Sequence, residues 1–296
     1  MTIGRVLLGL VLLIAAGLGF AYFFASPPMM LNLIDRMTPG QPDAVQVAKD
    51  VDFGTAPRQQ LDVWAPAKRG PEKLPVVIFY YGGAWTKGSR QEYGFVGRAF
   101  AGQGFIVVIP DYRLVPGVRF PIFVQDSALA VKWVRDHIAD YGGDPARITL
   151  SGHSAGAYNA AMLALDGRYL RDIGVDPKIV RAAALFAGPY AFYPWESDRA
   201  RAAFSAWPTP AETQPITYAT KYSPPLQLAQ GTADDVVKPR NATRLAKRLT
   251  ELGARYELKE YAGKSHNDLV MGLSLPFRGN ATTLADSTAF LKANSR

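Results

Sequence analysis

The chain has 296 residues, 48% of them hydrophobic and 20% charged, a balance that supplies a large core and excludes a disordered chain. It contains no cysteine, which excludes disulfides, thiolate metal sites and cysteine nucleophiles. The net charge of +8 is spread along the chain without a long Lys/Arg run or a basic stripe with interleaved aromatics, so nucleic acid is not an expected partner.

The first element is an uncharged apolar run, residues 6–25, preceded by Arg5. Twenty residues at ~1.5 Å each span about 30 Å, the thickness of the bilayer core. The run ends in Tyr22-Phe23-Phe24-Ala25, bulky where signal-peptide cleavage wants small residues, so residues 1–25 read as an uncleaved transmembrane anchor rather than a removed signal. Arg5 on the short side favours a cytoplasmic N-terminus, so the rest of the chain is expected on the extracytoplasmic side of the membrane. Export after cleavage is the alternative. Residues 26–44, rich in Pro and Met and without a clear period, read as a tether lying in part on the following domain.

From residue 45 to 296, strand-like and helix-like segments alternate. Residues 46–53 and 60–65 form a leading strand pair, with 55–59 as the turn. Residues 75–81 (PVVIFYY) are a buried strand ending in Gly82-Gly83; 91–103 read helical; 105–110 (FIVVIP) are a second buried strand. Residues 121–141 are a long amphipathic helix, 147–150 a strand and 154–165 a helix. Strands follow at 182–186, 226–229 and 255–260, and helices at 242–252 and 285–292. Short apolar runs each followed by a helix predict a mostly parallel central sheet with helices on both faces. Residues 188–225 interrupt this rhythm with prolines and eight aromatic residues, and are expected to form a small aromatic-rich cap.

Gly152-His153-Ser154-Ala155-Gly156 fits the nucleophile pattern G-x-S-x-G, with a strand before it and a helix after it. The serine of such a motif sits on a sharp, strained turn, so the positions two residues to either side must lack bulk. A serine hydroxyl needs an imidazole to take its proton. Of the three histidines, His137 sits on the solvent side of a helix, and His153 inside the motif points elsewhere as a packing or pocket residue. His266, in a loop after the last strand, is the expected base. A carboxylate that fixes the imidazole is expected after the strand at 226–229. Asp234 and Asp235 are adjacent there, and spacing does not choose between them. Gly83 and Ala84, at the end of the strand 75–81, and Ala155 after the nucleophile are expected to turn backbone N–H groups toward an oxyanion. Trp85, His153 and Tyr190 are expected to line the substrate pocket. No metal and no organic cofactor is expected.

The segments FYYGGAW, PDYRLVPGVRFPIFVQD, YGGDPARITLSGHSAGAYNAAMLAL, GTADDVV and SHND together resemble the α/β-hydrolase superfamily. Within it, the chain is similar to the bacterial carboxylesterase group related to hormone-sensitive lipase and feruloyl-esterase-like enzymes. The resemblance covers residues 45–295. It implies Ser154 as nucleophile, His266 as base, the first Asp of TADD, Asp234, as acid, and Gly83 and Ala84 as loop oxyanion donors. Asp235 is then a turn or cap residue, and Asp126 is structural. The chain departs from the family at Tyr81, where the group carries the His of His-Gly-Gly. The expected function is hydrolysis of a small-molecule carboxylic ester through an acyl-enzyme. An amidase, arylformamidase-like or peptidase-like hydrolase using the same triad, a lipase acting at the membrane surface and a non-enzymatic membrane-tethered binding protein are the alternatives.

Overall fold

Val76, Val77, Ile78 and Phe79 are wholly buried, as a strand must be when both faces of its sheet are covered. They lie on β3 (Leu74–Tyr80), in the middle of an eight-stranded sheet. The computed structural model describes residues 26–296, so the apolar run read as an anchor lies outside the described residues. Among the described residues no helix is long and apolar enough to cross a membrane.

The other strands are β1 (Ala44–Asp52), β2 (Gln60–Pro66), β4 (Ile106–Pro110), β5 (Gly143–His153), β6 (Val180–Phe186), β7 (Leu226–Gly231) and β8 (Tyr256–Tyr261). Their order across the sheet is β1-β2-β4-β3-β5-β6-β7-β8. The leading pair is antiparallel, β2 is antiparallel to β4, and every later pairing is parallel. The chain moves from β3 outward to β4 and then crosses back to β5, so the strand order reverses at β3. In an open parallel sheet that reversal opens a crevice at the carboxyl ends of the strands. Register places the crevice: Tyr80 pairs with Gly152, so the loop after β3 and the nucleophile turn after β5 leave the sheet side by side.

The helices are α1 (Pro27–Met37), α2 (Gly94–Ala101), α3 (Ile122–His137), α4 (Ala155–Leu165), α5 (Arg168–Arg171), α6 (Asp198–Phe204), α7 (Arg240–Leu252), α8 (Asp268–Met271) and α9 (Thr283–Asn294). The helix expected at 91–103 starts later, because Arg90–Tyr93 form a 3₁₀ turn. The long helix ends at His137 and continues as a 3₁₀ turn to Tyr141, closed by Gly142 in the left-handed conformation.

Residues 26–44, expected to be an aperiodic tether lying in part on the following domain, do lie on it, but with a regular helix where no period was read. Residues 27–37 are a helix, capped by the Ser26 side chain, which accepts from the Met29 N–H, with prolines in the first turn. Leu31 and Asp35 are buried. Asp35 pairs with Arg98 of α2 at 2.6 Å and accepts from the Leu275 N–H at 2.6 Å. Eleven residues are too few to stay helical in water alone, and tertiary contact holds this helix.

Candidate active site

The nucleophile turn is defined by close approach. Ser154 has φ 55 and ψ −120, a strained conformation for a residue with a side chain. A Cβ at Gly156 would overlap the carbonyl oxygens of Tyr80 and Tyr81, and one at Gly152 would meet the Gly156 carbonyl carbon at 2.6 Å. Only glycine lets α4 start this close to β3, so both ends of the motif are steric requirements. The Ser154 N–H donates to Phe186 O at 2.9 Å, tying the turn to β6.

Asp234 follows β7 and His266 follows β8, on the same edge of the sheet. His266 Nδ1 lies 2.8 Å from Asp234 Oδ2, and both residues are buried. Asp234 also accepts from the N–H groups of Val236 (3.0 Å) and Val237 (2.8 Å) and from the Gln230 amide (3.1 Å). Burial pushes its carboxyl toward the neutral form. The bond and charge of His266 and the two backbone donors outweigh burial and hold its pKa below the ordinary carboxylate value. Asp235 is exposed, in a bend; it does not cap α7, whose N-cap is Pro239. Of the two adjacent aspartates that spacing left open, Asp234 is the one buried against His266.

His153 is 4% exposed, and its Nε2 donates to the backbone carbonyl of His266 at 3.0 Å. Burial, and next the nearby charge of His266, push its pKa down to about 3. A ring so far from protonation is neutral at working pH. His137 is exposed against Trp133.

The loop after β3 is held from beneath by Tyr81. Its ring is stacked between Tyr93 and Tyr112, with centroids 5.5 and 4.8 Å away. Its hydroxyl donates to Asp111 at 2.8 Å and accepts from Arg58 at 2.8 Å, and Arg58 also donates to the Gly88 carbonyl at 2.6 Å. Arg90 pairs with Asp111 in the same buried network. Tyr81, which stands where the resembled group has histidine, is thus fixed at the base of this loop by two stacked rings and a buried hydrogen-bond network. Gly83 has φ 131 and Ala84 φ 52, and a Cβ at Gly83 would overlap the Lys87 carbonyl. Asp126 is wholly buried, bound by Arg113 and Gln59, which fits a structural part.

Two cavities flank Ser154. The larger, about 530 Å³, is lined by Gly83, Ala84, His153, Ser154 and His266, and by apolar residues from α1, Phe95, Val270 and Phe277. The smaller, about 210 Å³, is lined by Ala84, Trp85, Ser154, Ala155, Phe192 and α6. Of the three expected pocket residues, Trp85 and His153 each line a cavity. Tyr190 does not: it is 1% exposed, lies outside both linings and packs its ring against Gly188. Its aromatic density is used for core packing. Phe192, Phe204, Tyr158 and Phe123 surround Trp85 in the same way. The cavity wall contributed by α1 (Pro27, Pro28, Met30, Leu31 and Ile34) escaped sequence reasoning. The Ser-Pro-Pro helix start was the signal that could have found it.

The family model for BD-FAE matches residues 61–249. The chain belongs to the BD-FAE family. It is 30% identical over 264 residues to the isoprenylcysteine alpha-carbonyl methylesterase ICME of Arabidopsis thaliana, covering 81% of this chain and 61% of that one. It is 31% identical to the esterase LipC of Mycobacterium tuberculosis (strain ATCC 25618 / H37Rv), over 74% of this chain and 60% of LipC. The chain therefore spans about 60% of the length of these relatives. Esterase B from Lactobacillus rhamnosis (HN001) superposes with a TM-score of 0.74 at 21% identity, over 95% of each chain. The fold of this BD-FAE member is the α/β-hydrolase fold, with a mostly parallel eight-stranded sheet.

Proposed function

We propose that this protein is a serine carboxylic-ester hydrolase. One observation carries the reading: Ser154 and His266 open on one cavity at the carboxyl edge of the sheet, and His266 is held by buried Asp234 at 2.8 Å. Asp234 fixes the proton on Nδ1 and leaves Nε2 free to act as base. His266 takes the Ser154 hydroxyl proton as Oγ attacks the ester carbonyl carbon. The N–H groups of Gly83, Ala84 and Ala155 stabilise the oxyanion, aided by the N-terminus of α4. Collapse breaks the C–O bond, and His266 passes its proton to the leaving alcohol. Water then attacks the acyl-enzyme, His266 accepts its proton, and the acid departs with Ser154 restored. The names of the relatives, methylesterase and esterase, support an ester over an amide.

Two parts of the reading concern placement. Residues 188–225 act as the cap, a role supported by Phe192 and by Ser197, Arg199 and Ala200 in the wall of the smaller cavity. Residues 6–25 anchor the protein in the cytoplasmic membrane with the catalytic domain on its outer side, supported by the length of the uncharged run and by Arg5. Cell fractionation with protease accessibility checks this; intact protein in the soluble cytosolic fraction overturns it.

Hydrolysis of p-nitrophenyl esters from acetate to palmitate tests the activity, with Ser154→Ala as control. Serine-dependent turnover supports ester hydrolysis. Turnover that survives Ser154→Ala, or a folded protein that cleaves matched amides but no ester, overturns it.

A further inference from the structure

The two cavities beside Ser154 differ in polarity but share an excess of positive charge. Among the described residues, the larger is lined by two side chains that carry a fixed charge, Lys87 and Arg199, and by no carboxylate. The rest of its wall is mainly apolar, with Leu31, Phe95, Val270 and Phe277 among its members. The smaller cavity shares Arg199 and adds Lys238 and Arg240, with Glu196 its only carboxylate among the described residues.

The carboxylates nearby are already engaged. Glu196 binds Lys238 at 3.3 Å and Arg240 at closer range. Asp198, adjacent to Arg199 on α6, pairs instead with Arg201 at 2.5 Å. Among the described residues, neither Arg199 nor Lys87 has an ion-pair partner. They belong to different parts of the fold, the loop after β3 and α6, yet both reach the cavity that holds Ser154 and His266. Both are exposed, so hydration satisfies them when the site is empty. Apolar walls with cations of one sign at the mouth focus a positive field onto whatever enters. A neutral ester gains little from that field; an ester that also carries a negative group gains binding and orientation.

We infer that the substrate is an anionic amphiphile: an ester whose apolar group occupies the larger cavity and whose carboxylate or phosphate group meets Arg199 and Lys87. This rests on the ester-hydrolase reading and names the substrate class of the same site.

The test uses the full chain and two esters matched in shape and chain length, 4-carboxyphenyl octanoate and its neutral counterpart 4-carbamoylphenyl octanoate. At low salt, kcat/KM favours the carboxylate by roughly five- to tenfold, since two exposed cations each contribute a modest pairing energy. Added salt shrinks the preference. Arg199→Gln and Lys87→Gln each lower the ratio of anionic to neutral kcat/KM, whereas Arg248→Gln, the same charge change on the outer face of α7, leaves the ratio intact. A wild-type ratio at or below one overturns the inference, as does a ratio that both substitutions leave unchanged. The same neutral ester presented in phosphatidylcholine vesicles, with and without phosphatidylglycerol, separates the two sources of negative charge. If rate depends on vesicle charge while the soluble pair shows no preference, the cations serve a lipid surface, and the substrate-borne group is overturned. Absence of turnover on both esters defeats the ester-hydrolase reading itself, whereas turnover without charge preference defeats only this inference.

Discussion

His153 and His266 sit ring against ring, with centroids 4.7 Å apart, and the side chain of the first donates to the main-chain carbonyl of the second at 3.0 Å. A carbonyl only accepts, so His153 carries its proton on Nε2. Its Nδ1 is buried with no partner among the described residues. The residue before Ser154 therefore ties down the loop that carries His266, and couples two segments that are 113 residues apart.

Removing that tie is expected to loosen the base without altering substrate contacts far from it. His153→Leu should lower kcat by roughly tenfold, the scale of one hydrogen bond lost from a positioned catalytic group. His153→Gln, which retains a donor, should recover part of the loss. Steady-state kinetics on a short-chain ester with both variants checks this, and equal losses in the two would refute a hydrogen-bonding part for His153.

The same residue is expected to shape acid stability. Folded His153 has its pKa pushed down to about 3, against an ordinary value of 6.5. Between those limits the unfolded chain binds a proton that the folded chain does not, so stability falls as pH falls through this window. The slope from one such group approaches about 1.4 kcal/mol per pH unit. Urea unfolding of wild type and His153→Leu at several pH values from 6.5 downward should give a shallower decline in the variant. Asp234, with its pKa held low, adds a loss in the same direction that both proteins share.

The adjacent aspartates should behave very differently. Asp234→Asn should cut kcat by about 10³–10⁴-fold, because an amide in place of the carboxylate favours the wrong imidazole tautomer. Asp235→Asn changes an exposed bend residue and should leave kcat/KM within about twofold of wild type. Parallel kinetics on the two variants decides the assignment; comparable losses would contradict it.

Helix α1 is held by a buried pair, and breaking one side leaves the other charge uncompensated. Asp35→Ala should cost about 3 kcal/mol by stranding Arg98 and the Leu275 N–H. Since α1 walls the larger cavity, KM for long-chain esters should rise more than KM for acetate. Thermal unfolding and a chain-length series measure both effects, and a stable variant with an unchanged chain-length profile would show that the Asp35 pair does not hold the cavity wall.

Tyr81 offers a milder test of the loop. Tyr81→Phe keeps the stacked ring but leaves Asp111 and Arg58 each without a hydroxyl partner. It should lower stability by about 1–3 kcal/mol. If the oxyanion donors depend on this support, kcat falls while the fluorophosphonate labelling rate of Ser154 falls with it; loss of stability alone would confine Tyr81 to folding.

What sequence could determine was local. The strands at 75–81 and 105–110 were legible because two-sided burial demands unbroken apolar runs. The turn at Ser154 was legible because a serine on a strained strand-to-helix turn demands small residues at Gly152 and Gly156. His266 emerged because only three histidines compete. Tertiary structure decided the rest, since each remaining question turns on contacts between distant segments. Asp234 and Asp235 are equivalent as letters, and they separate only when one is buried against a histidine 32 residues away. Tyr190 belongs to the same aromatic segment as Phe192, yet only Phe192 reaches a cavity. Residues 27–37 have weak helical credentials of their own and become a cavity wall through Asp35 and Leu31, which find their partners on elements far along the chain. Periodicity and spacing record what a residue needs from its neighbours in sequence; which distant residue meets that need is set by the packing of the whole domain.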